Sequence, residues 1–526
     1  MCSNDASHII VQWAIWMTGN IAVPLTPLHP PDMLKYFMTD SMASLVVCTQ
    51  EYENLLRPIT LDVSLPLLTT TRDNEITAQL YQPNSTFLTK TEDSLPDIGK
   101  TNDWYGSREA MLIYTSGTTS KPKGVVWTHS MLQTQISSLH SAWRYSARDV
   151  VLHALPLHHI HGQLNSMLAS LAAGARIRML SKFVSHVVWS RLLGMGERDE
   201  FKVTVFHGVP AMYAKLAHDY DKMFGDSRTA EYVRSTLANR MRLMCAGSAP
   251  LPETLFKKWE DLSGIRLLER YGMTECGMAI SNPFDPVEER TVGCVGFPLP
   301  GMQARIAVAT EGSEEMQPLI TVETPAVSNE ISLDRLFAST KDFPSLEDGD
   351  WQEPIITKHK PNDEGVYQGE LLLKGPGVFS RYWNRAPTLA SSDWTSDEWF
   401  RSGDTASYSD TFRILGRTSS DIIKTSGYKV SALQVESAIL EHPDVTDAAV
   451  VGIPHEDYGE IVAVVVTTRD KKTLSIQELK NEAGKKLAPY QLPKTMVVVE
   501  EMPRNIMGKL DKKVIKAKFA EALALK

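Results

Sequence analysis

The chain contains 526 residues, roughly three domain lengths at ~150 residues each, which excludes a single small binding module. Apolar residues make up 43% and charged residues 22% of the chain, and this balance excludes a disordered chain and a fibrous coiled coil. Lys and Arg number 54 against 63 Asp and Glu, which gives a formal net charge of −9. A mildly acidic chain of this size lacks the electrostatic footprint for nucleic acid or for an anionic membrane surface.

The cysteines and the first residues bear on the cellular compartment. The cysteines are odd in number and form no Cys-x-x-Cys pair, which favours a reducing compartment over a disulfide framework or a zinc ribbon. They are Cys2, Cys48, Cys245, Cys276 and Cys294. The apolar stretch 9–25 is broken by polar residues and is too short to span a bilayer. Because no Lys or Arg precedes Lys35, the residues present predict an untargeted, cytoplasmic protein.

Helix-period stretches alternate with short apolar runs through the first 210 residues. The helix-like stretch Ala6–Trp16 comes first, without a strand before it, so the N-terminus is expected to be incomplete or covered by a partner. The predicted strands are Ile21–Leu25, Ser44–Val47, Val150–Leu155, Arg176–Leu180 and Val203–Phe206. Helices that alternate with buried strands indicate parallel βαβ units. The predicted fold class is therefore α/β, with parallel layers over residues 1–300.

Two changes of composition divide the remaining chain. Acidic and Pro-rich pieces interrupt strand-like runs over residues 301–416, which predicts a β-rich subdomain with an acidic insertion. A compact pattern follows over 417–526 and predicts a small, mobile α+β domain. Its predicted helices and strands are Val430–Glu441, Ala448–Gly452, Ile461–Thr467, Ile476–Leu487 and Thr495–Val499.

A loop rich in Ser, Thr and Gly follows the strand-like run Ala110–Ile113. From Tyr114 to Gly124 it is Tyr-Thr-Ser-Gly-Thr-Thr-Ser-Lys-Pro-Lys-Gly. Glycines permit unusual dihedrals, and the hydroxyls, backbone N–H groups and lysines together suit a phosphate. The alternative is a polar surface loop. No Gly-Lys-Ser/Thr closes it, which argues against a P-loop ATPase or kinase.

This loop resembles the signature of the adenylate-forming superfamily, which holds acyl-CoA synthetases, adenylation domains of peptide synthetases and firefly-type luciferases. Other family segments follow in order: Pro156–His159, Gly247–Leu251, Tyr271–Glu275, Gly403–Asp404, Gly416–Arg417, Lys424–Tyr428 and Pro503–Lys509. The resemblance implies that the family's opening strand would stand before Met1, so the N-terminus is expected to be incomplete. The resemblance implies that a carboxylate attacks the α-phosphorus of ATP to give an acyl-adenylate and pyrophosphate, and that the thiol of coenzyme A then displaces AMP.

The resemblance assigns one set of residues to the phosphates and the metal. The phosphate-binding residues would be Thr115, Ser116, Gly117, Thr118, Thr119, Ser120, Lys121, Pro122 and Lys123. Thr274 would hydrogen-bond the α-phosphate. Glu275 would bind Mg²⁺, which prefers carboxylate and phosphate oxygens; taken alone, it also fits a surface carboxylate.

A second set is implied for the adenosine. Gly247 and Ser248 would pass over the adenine, and Tyr271 would stack on the base. Asp404 would accept hydrogen bonds from the ribose hydroxyls, with Arg417 reinforcing the same end of the nucleotide. Taken alone, Asp404 also fits a turn former after glycine.

The small domain carries two further implied sites. Lys509 would place its ammonium between the substrate carboxylate and the α-phosphate during adenylation, while the lysines around it form a solvated face. For the thioester step the family rotates this domain and presents another face. The matching residues here are Lys424, Gly427, Tyr428 and Lys429. The pivot is expected at Ser419, Ser420 or Asp421.

Four histidines between His153 and His161 raise the possibility of zinc. No cysteine or acidic ligand stands at a matching spacing, which disfavours that interpretation. By resemblance, His159 gates the tunnel for the acid and the thioester, and the other histidines are core or pocket groups. Cys276 is expected to be a packing residue, because AMP activation needs no acyl-enzyme.

Arg270 stands immediately before Tyr-Gly-Met-Thr-Glu, where much of the family has an uncharged residue lining the acyl pocket. A buried guanidinium is costly unless an anion meets it, and its planar fork fits a carboxylate. An ion pair with Glu269 is the alternative, although adjacent strand residues face opposite sides. His207 and Ser248 add polar groups, which favours a short, polar acid.

With the segments 155–162 and 421–433, this pattern resembles the malonyl-CoA synthetases, which use malonate and methylmalonate and include a mitochondrial member. The resemblance implies the mitochondrial matrix.

Other functions stay open at this point. They are a ligase for another short or medium-chain acid, a peptide-synthetase adenylation domain, and a truncated, catalytically impaired isoform that only binds nucleotide. The adenylation domain is disfavoured because no carrier domain follows Lys526. A chain extended upstream is expected to be more stable and to carry any organelle address. The expected partners are a small acid, ATP and CoA, with no nucleic acid and no membrane span, and a monomer is favoured.

Overall fold

The structure is a computed structural model that describes residues 1–70, 78–81, 102–115, 122–310, 315–327, 353–360, 365–385, 393–425, 428–504 and 510–524. It combines mixed α/β layers, an antiparallel β-sheet and a small α+β unit in chain order, which confirms the predicted α/β class. Across these ranges no helix combines the length and the apolar character needed to cross a membrane.

The helices have conventional end signals. Asp5 caps α1, where its carboxylate accepts a hydrogen bond from the Ser7 N–H at 2.8 Å, and Gly264 ends α10 in the left-handed region. The α-helices are α1 Ala6–Met17, α2 Pro31–Asp40, α3 Glu53–Asp62, α4 Asn102–Gly106, α5 His129–Trp143, α6 Ala169–Ala172, α7 Ser185–Leu192, α8 Pro210–Met223, α9 Ser227–Arg240, α10 Glu253–Ser263, α11 Ala432–Ile439, α12 Ile476–Ala483 and α13 Lys512–Leu523. A buried π-helix covers His161–Leu168.

A seven-stranded sheet forms the centre of the α/β part, in the order β12-β11-β10-β9-β8-β6-β7. The strands from β7 to β10 are parallel to their neighbours, whereas β11 and β12 run antiparallel. Two smaller sheets are β1-β2-β3 and the antiparallel pair β4-β5. These strands are β1 Val46–Thr49, β2 Leu67–Thr70, β3 Ala78–Tyr81, β4 Glu109–Thr115, β5 Lys123–Thr128, β6 Val150–His153, β7 Arg176–Met179, β8 Val205–Gly208, β9 Leu243–Ala246, β10 Leu268–Met273, β11 Gly277–Ser281 and β12 Phe297–Pro298.

The first predicted strand was wrong. In Ile21–Leu25 only Ala22 forms a bridge, with Met111 of β4. Pro24 lacks the N–H that a continued ladder would need. Beside the predicted parallel layers, β4 and β5 pair antiparallel, as do β10 with β11 and β11 with β12. Strands β1, β6, β7 and β8 form where the apolar runs predicted them, with ends shifted by one or two residues.

The next sheet has six antiparallel strands in the order β15-β14-β13-β16-β17-β18. They are β13 Gln303–Ala309, β14 Met316–Glu323, β15 Ile355–Lys358, β16 Tyr367–Lys374, β17 Phe400–Tyr408 and β18 Phe412–Arg417. One hydrophobic core joins its inner face to the central sheet, through residues such as Ile306, Leu371 and Leu268. The acidic segments 311–314 and 344–350, expected as an insertion, lie outside the described residues.

The C-terminal sheet packs helices on both faces. Its strands are β19 Ile422–Thr425, β20 Tyr428–Ser431, β21 Val445–His455, β22 Gly459–Thr468 and β23 Thr495–Val498. Alternate residues of β22 serve two cores: Val462, Val464 and Val466 pack with α11 and α12, whereas Ile461, Ala463 and Val465 pack with α13. The predicted helix Val430–Glu441 begins later, at Ala432, because the Ser431 hydroxyl caps it by accepting from the Gln434 N–H at 3.2 Å.

Candidate active site

Strand β10 places two neighbouring charged residues on opposite faces. Arg270 is 3% exposed, and its Nη2 donates to Ser248 Oγ at 3.2 Å. Glu269 faces away and accepts the Gly293 N–H at 2.9 Å, and burial raises the pKa of Glu269 to about 8. The ion pair between Arg270 and Glu269 that the sequence left open does not form. Nε and Nη1 of Arg270 have no hydrogen-bond partner among the described residues.

Arg270 belongs to a set of side chains that we term the polar cluster. Its members lie on strands β6, β8 and β10, on the π-helix, just after α5 and in the connection between β9 and α10. They are Tyr145, His153, His161, Asn165, His207, Ser248 and Arg270. His161 Nδ1 lies 3.2 Å from Ser248 Oγ, so one hydroxyl contacts both the imidazole and the guanidinium.

Buried polar atoms in this cluster are incompletely satisfied. Within the described part of the chain, these atoms have no partner: His153 Nε2, His161 Nε2, His207 Nδ1, Asn165 Oδ1 and Nδ2, and Arg270 Nε and Nη1. Buried polar groups are normally hydrogen-bonded, so such a concentration in one place is typical of a ligand site. No ion pair joins Arg270 to a carboxylate in the structure as described.

The histidines of the cluster are held neutral. Burial, followed by the positive charge of Arg270, lowers the pKa of His207 to about 3, and the same causes lower the pKa of His161 well below its usual value. Burial lowers the pKa of His153 to about 4. The guanidinium is therefore the cation of the cluster, and the imidazoles are neutral hydrogen-bonding groups.

Gly247 makes room for the guanidinium. A Cβ at this position would lie 2.7 Å from Arg270 Cζ and Nε and 2.9 Å from its carbonyl oxygen. Ser248 follows in the left-handed region, with φ of 66°. The two residues matched to the adenine loop thus also form one wall around Arg270, which the sequence alone did not indicate.

The residues expected at the adenosine are brought together. The Tyr271 hydroxyl donates to Asp404 Oδ2, and Arg417 Nε lies 3.1 Å from Asp404 Oδ1. Arg417 Nη1 also donates to the Ser402 carbonyl at 2.7 Å, which fixes the guanidinium beside the carboxylate. Burial and the charge of Asp404 hold the pKa of Tyr271 well above its usual value, so its hydroxyl stays a donor.

Two of the residues expected at the phosphates and the metal, Lys123 and Glu275, contact the same side chain, that of Tyr382. Tyr382 donates its hydroxyl to Glu275 Oε1 at 3.0 Å, and burial raises the pKa of Glu275. Lys123 Nζ lies 4.5 Å from the centre of the Tyr382 ring and 3.6 Å from Asp393. Thr274 precedes Glu275, and its carbonyl accepts from the Trp127 indole at 3.1 Å.

The chemistry of this group fits Mg²⁺ held partly by a nucleotide. Magnesium sites commonly use one or two carboxylates together with substrate phosphates and water. Glu275 supplies one carboxylate, and among the described residues its side chain is buried with a hydrogen bond from a neutral hydroxyl and none from a cation, which favours a cation there. Within the described chain, no set of three His, Cys, Asp or Glu residues could hold a metal by itself.

Strands β4 and β5 bring the two ends of the Ser, Thr and Gly loop together. Thr115 pairs with Lys123 in the ladder, and the Pro122 carbonyl accepts the Tyr36 hydroxyl at 2.8 Å. The residues between them, 116–121, which include Ser116, Gly117, Thr118, Thr119, Ser120 and Lys121, lie outside the described residues. Their phosphate-binding role stays a prediction.

His159 packs against a neighbouring histidine ring. Its ring centre is 4.0 Å from that of His158, and His158 in turn approaches His29 at 5.6 Å. Burial lowers the pKa of His158 to about 2. Ring contacts in this segment thus run from His159 through His158 to His29.

The C-terminal residues expected for the thioester step are only partly described. Lys424 is exposed, and its backbone N–H donates to Glu460 at 2.9 Å. Tyr428 is exposed and stacks on Tyr490, with ring centres 4.1 Å apart. Gly427, Lys509 and the side chain of Lys429 lie outside the described residues.

The segment 418–421, where the pivot is expected, contacts the end of β18 and the start of α13. Asp421 accepts the Arg417 N–H at 2.9 Å and the Lys512 ammonium at 2.6 Å. Lys512 also lies 2.7 Å from Glu436. A continuous set of contacts therefore runs from Asp404 through Arg417 and Asp421 to the helix that follows the Lys509 segment.

Sequence reasoning missed Tyr145, Asn165 and Tyr382. The fold brings them to partners that are distant in the sequence: Tyr382 and Glu275 are 107 residues apart, and Tyr145 and His207 are 62 residues apart. None stands in a segment with a recognisable signature. A polar residue such as Asn165 within a buried apolar stretch was the one available signal.

Comparison with known proteins was decisive for the family. The AMP-binding enzyme family model matches residues 1–319, and the AMP-binding enzyme C-terminal domain model matches residues 434–509. The chain belongs to the AMP-binding enzyme family. This family accounts for the large α/β part and the small C-terminal unit.

The family relatives match along almost the whole chain. The mitochondrial malonate–CoA ligase ACSF3 of Xenopus laevis is 40% identical over 520 residues, covering 99% of this chain and 82% of the relative. The mouse (Mus musculus) ACSF3 enzyme is 42% identical over 514 residues, covering 98% and 80%. ATP-bound MatB from Rhodopseudomonas palustris aligns with a TM-score of 0.75 at 27% identity, covering 99% of this chain and 88% of MatB.

Proposed function

We propose that this protein is an ATP-dependent, AMP-forming ligase that converts malonate, and methylmalonate, to the CoA thioester through an acyl-adenylate. The observation that carries the proposal is Arg270, a buried guanidinium in the polar cluster, two of whose nitrogens have no hydrogen-bond partner among the described residues. The relatives named as malonate–CoA ligases support the same substrate.

The acid pocket suits a dicarboxylate. A desolvated guanidinium is destabilising until an anion meets it, and its fork accepts a carboxylate in bidentate fashion. Ser248 and His207 supply further polar contacts beside it. One substrate carboxylate would bind Arg270 while the other reacts, so an acid such as acetate would leave the guanidinium unpaired.

The nucleotide would bind on the neighbouring group of residues. Asp404, oriented by Arg417, would accept the ribose hydroxyls, and Tyr271 would contact the base. Thr274 would donate to the α-phosphate, and residues 115–123 would hold the β- and γ-phosphates. Glu275 would hold Mg²⁺, which supplies charge neutralisation on the phosphates when bound. These donors act mainly by positioning and charge, as phosphoryl chemistry requires.

The two half-reactions would use different faces of the small domain. Lys509 would approach the carboxylate and α-phosphate for adenylation. Rotation about 418–421 would then bring Lys424 and residues 427–429 to the site, where His159 would line the path of the thiol. We place the domain divisions at 300/301 and 416/417, close to where the central sheet, the six-stranded sheet and the C-terminal sheet succeed one another.

We also propose a mitochondrial matrix location and a monomeric state. The location is supported by the ACSF3 relatives, which are named as mitochondrial enzymes. ATP, Mg²⁺ and coenzyme A are the proposed cofactor and co-substrates, and ATP is present in the MatB structure to which the chain is similar.

The test is AMP release from the purified protein with ATP, Mg²⁺ and CoA, using malonate, methylmalonate, acetate, octanoate and benzoate. Turnover with the two dicarboxylates well above the other three is expected. Equal or better turnover of octanoate overturns the dicarboxylate proposal and leaves a ligase for another acid. If ATP–Mg²⁺ raises the melting temperature but no acid yields AMP, the protein is a nucleotide-binding form without ligase activity.

A further inference from the structure

Tyr145 contacts two members of the polar cluster through one buried hydroxyl, and the inference drawn from it rests on the proposed function. Arg144 ends α5 in the left-handed region, which turns Tyr145 into the core, where it is 5% exposed. Its oxygen lies 2.7 Å from the Asn165 carbonyl oxygen and 2.8 Å from His207 Nε2. Both distances are those of good hydrogen bonds.

The single hydroxyl hydrogen fixes the tautomer of His207. A tyrosine hydroxyl carries one hydrogen, and a carbonyl oxygen can only accept. The hydrogen of Tyr145 therefore points at Asn165, and His207 Nε2 must carry a hydrogen that it donates to the Tyr145 oxygen. The reverse arrangement would leave two oxygens 2.7 Å apart with no hydrogen between them.

The other ring nitrogen is consequently an acceptor. In a neutral imidazole with hydrogen on Nε2, Nδ1 holds a lone pair. Nδ1 of His207 is buried and has no partner in the described chain, and it belongs to the cluster in which the Arg270 nitrogens are also unpartnered. A substrate carboxylate arriving there would meet a lone pair rather than a donor.

We propose that Tyr145 is a positioning residue that locks His207 as the Nε2–H tautomer, so that binding of a dicarboxylate takes up one proton at His207 Nδ1. The proton comes from solvent, and the ring becomes an imidazolium. Nδ1–H then donates to the carboxylate that Arg270 also binds, while Nε2–H keeps its bond to Tyr145. When the carboxylate leaves, the proton returns to solvent.

The charges around His207 favour this exchange only when the substrate is present. The groups that face or influence it from the packed elements are Arg270, Arg242, Cys245, His153, His161 and Tyr145. Arg242 is already neutralised by two hydrogen bonds of 2.6 Å to Asp149. Arg270 has no carboxylate partner among the described residues. Its positive charge therefore opposes protonation of His207 until a substrate carboxylate compensates the two cations.

The experiment measures the protons taken up when malonate binds. Sodium malonate is titrated calorimetrically into the full chain with Mg²⁺ and a non-hydrolysable ATP analogue, in two buffers of equal pH near 8 but different ionisation enthalpy. Uptake of about one proton per malonate is expected for the wild type. The same linkage makes kcat/KM for malonate fall about tenfold per pH unit above neutrality.

Two variants distinguish the tautomer lock from a structural role. In Tyr145→Phe the ring can turn to the Nδ1–H tautomer, which donates without gaining a proton, so uptake falls toward zero. In His207→Asn the side-chain amide donates without titrating, so malonate still binds, uptake disappears and the pH profile flattens. Tyr213→Phe is the matched control, because the buried Tyr213 hydroxyl donates to a backbone carbonyl, that of Cys245 at 2.9 Å, and not to an imidazole. Its uptake equals that of the wild type.

The outcomes separate this inference from the proposed function. Malonate binding without proton uptake in the wild type overturns the inference alone. Equal proton uptake in the wild type and Tyr145→Phe also overturns the inference alone. If Tyr145→Phe fails to fold, proton uptake that persists in His207→Asn overturns it instead. A wild type that binds the ATP analogue but no malonate overturns the proposed function and the inference together.

Discussion

Two buried cations in this protein have opposite surroundings. Lys512, 12% exposed in the C-terminal unit, lies 2.6 Å from Asp421 and 2.7 Å from Glu436. Arg270, in the α/β part, has a hydroxyl at 3.2 Å and no carboxylate partner among the described residues. A cation that is compensated within the chain stabilises the fold, whereas one that is left uncompensated favours an external anion.

Removing Lys512, the cation compensated within the chain, should destabilise the protein more than removing Arg270. Lys512→Met leaves Asp421 and Glu436 as buried, unpaired carboxylates, and breaking such a group costs about 3–5 kcal/mol. Urea unfolding followed in the C-terminal unit measures the loss. Lys513→Met, next to it and exposed, is the matched control and should change the unfolding free energy by less than about 0.5 kcal/mol. Equal effects of the two substitutions would show that the pairing at Lys512 contributes nothing.

Glu269 extends the comparison to the opposite face of β10. Burial raises the pKa of Glu269 to about 8, above the ordinary value of an unfolded glutamate, so the folded state binds the extra proton. Its contribution to stability is complete below the unfolded pKa near 4.5 and is lost as the pH rises toward 8. We expect the wild type to lose about 1–3 kcal/mol relative to Glu269→Gln between pH 5 and pH 8. Parallel pH profiles for the two proteins would contradict this.

Glu275, like Arg270, is a buried ionisable side chain that hydrogen-bonds a neutral hydroxyl, here that of Tyr382 at 3.0 Å. Tyr382→Phe removes the group that orients the carboxylate and should raise the Mg²⁺ concentration needed for half-maximal activity about tenfold. The variant should bind malonate as the wild type does. An unchanged Mg²⁺ requirement would place the metal elsewhere.

The sequence predicted those features that depend on local order. Alternation along a strand was enough to place Glu269 and Arg270 on opposite faces. Short motifs identified Asp404, Arg417 and Glu275 as candidates, and in the structure Arg417 contacts Asp404 and its charge acts on Glu275. Ile21–Leu25 failed as a strand because an apolar run does not reveal whether a ladder partner is available.

Features that depend on distant contacts could not be predicted. The polar cluster joins side chains from several elements, and its central contact, Tyr145 to His207, depends on the turn after α5 and the position of β8. The π-helix at 161–168, which places His161 and Asn165 in the cluster, has no composition that distinguishes it from an α-helix.

The central claim is that Arg270 binds the carboxylate that does not react. Its most direct test is kcat/KM for malonate and for acetate in the wild type and Arg270→Met, with Arg270→Lys as an intermediate that keeps the charge but loses the fork. Loss of a buried charged hydrogen-bonding partner costs about 2–5 kcal/mol, so malonate should lose at least about 30-fold while acetate is unchanged or improves. Malonate activity in Arg270→Met within about threefold of the wild type, or an equal loss with acetate, would contradict the account.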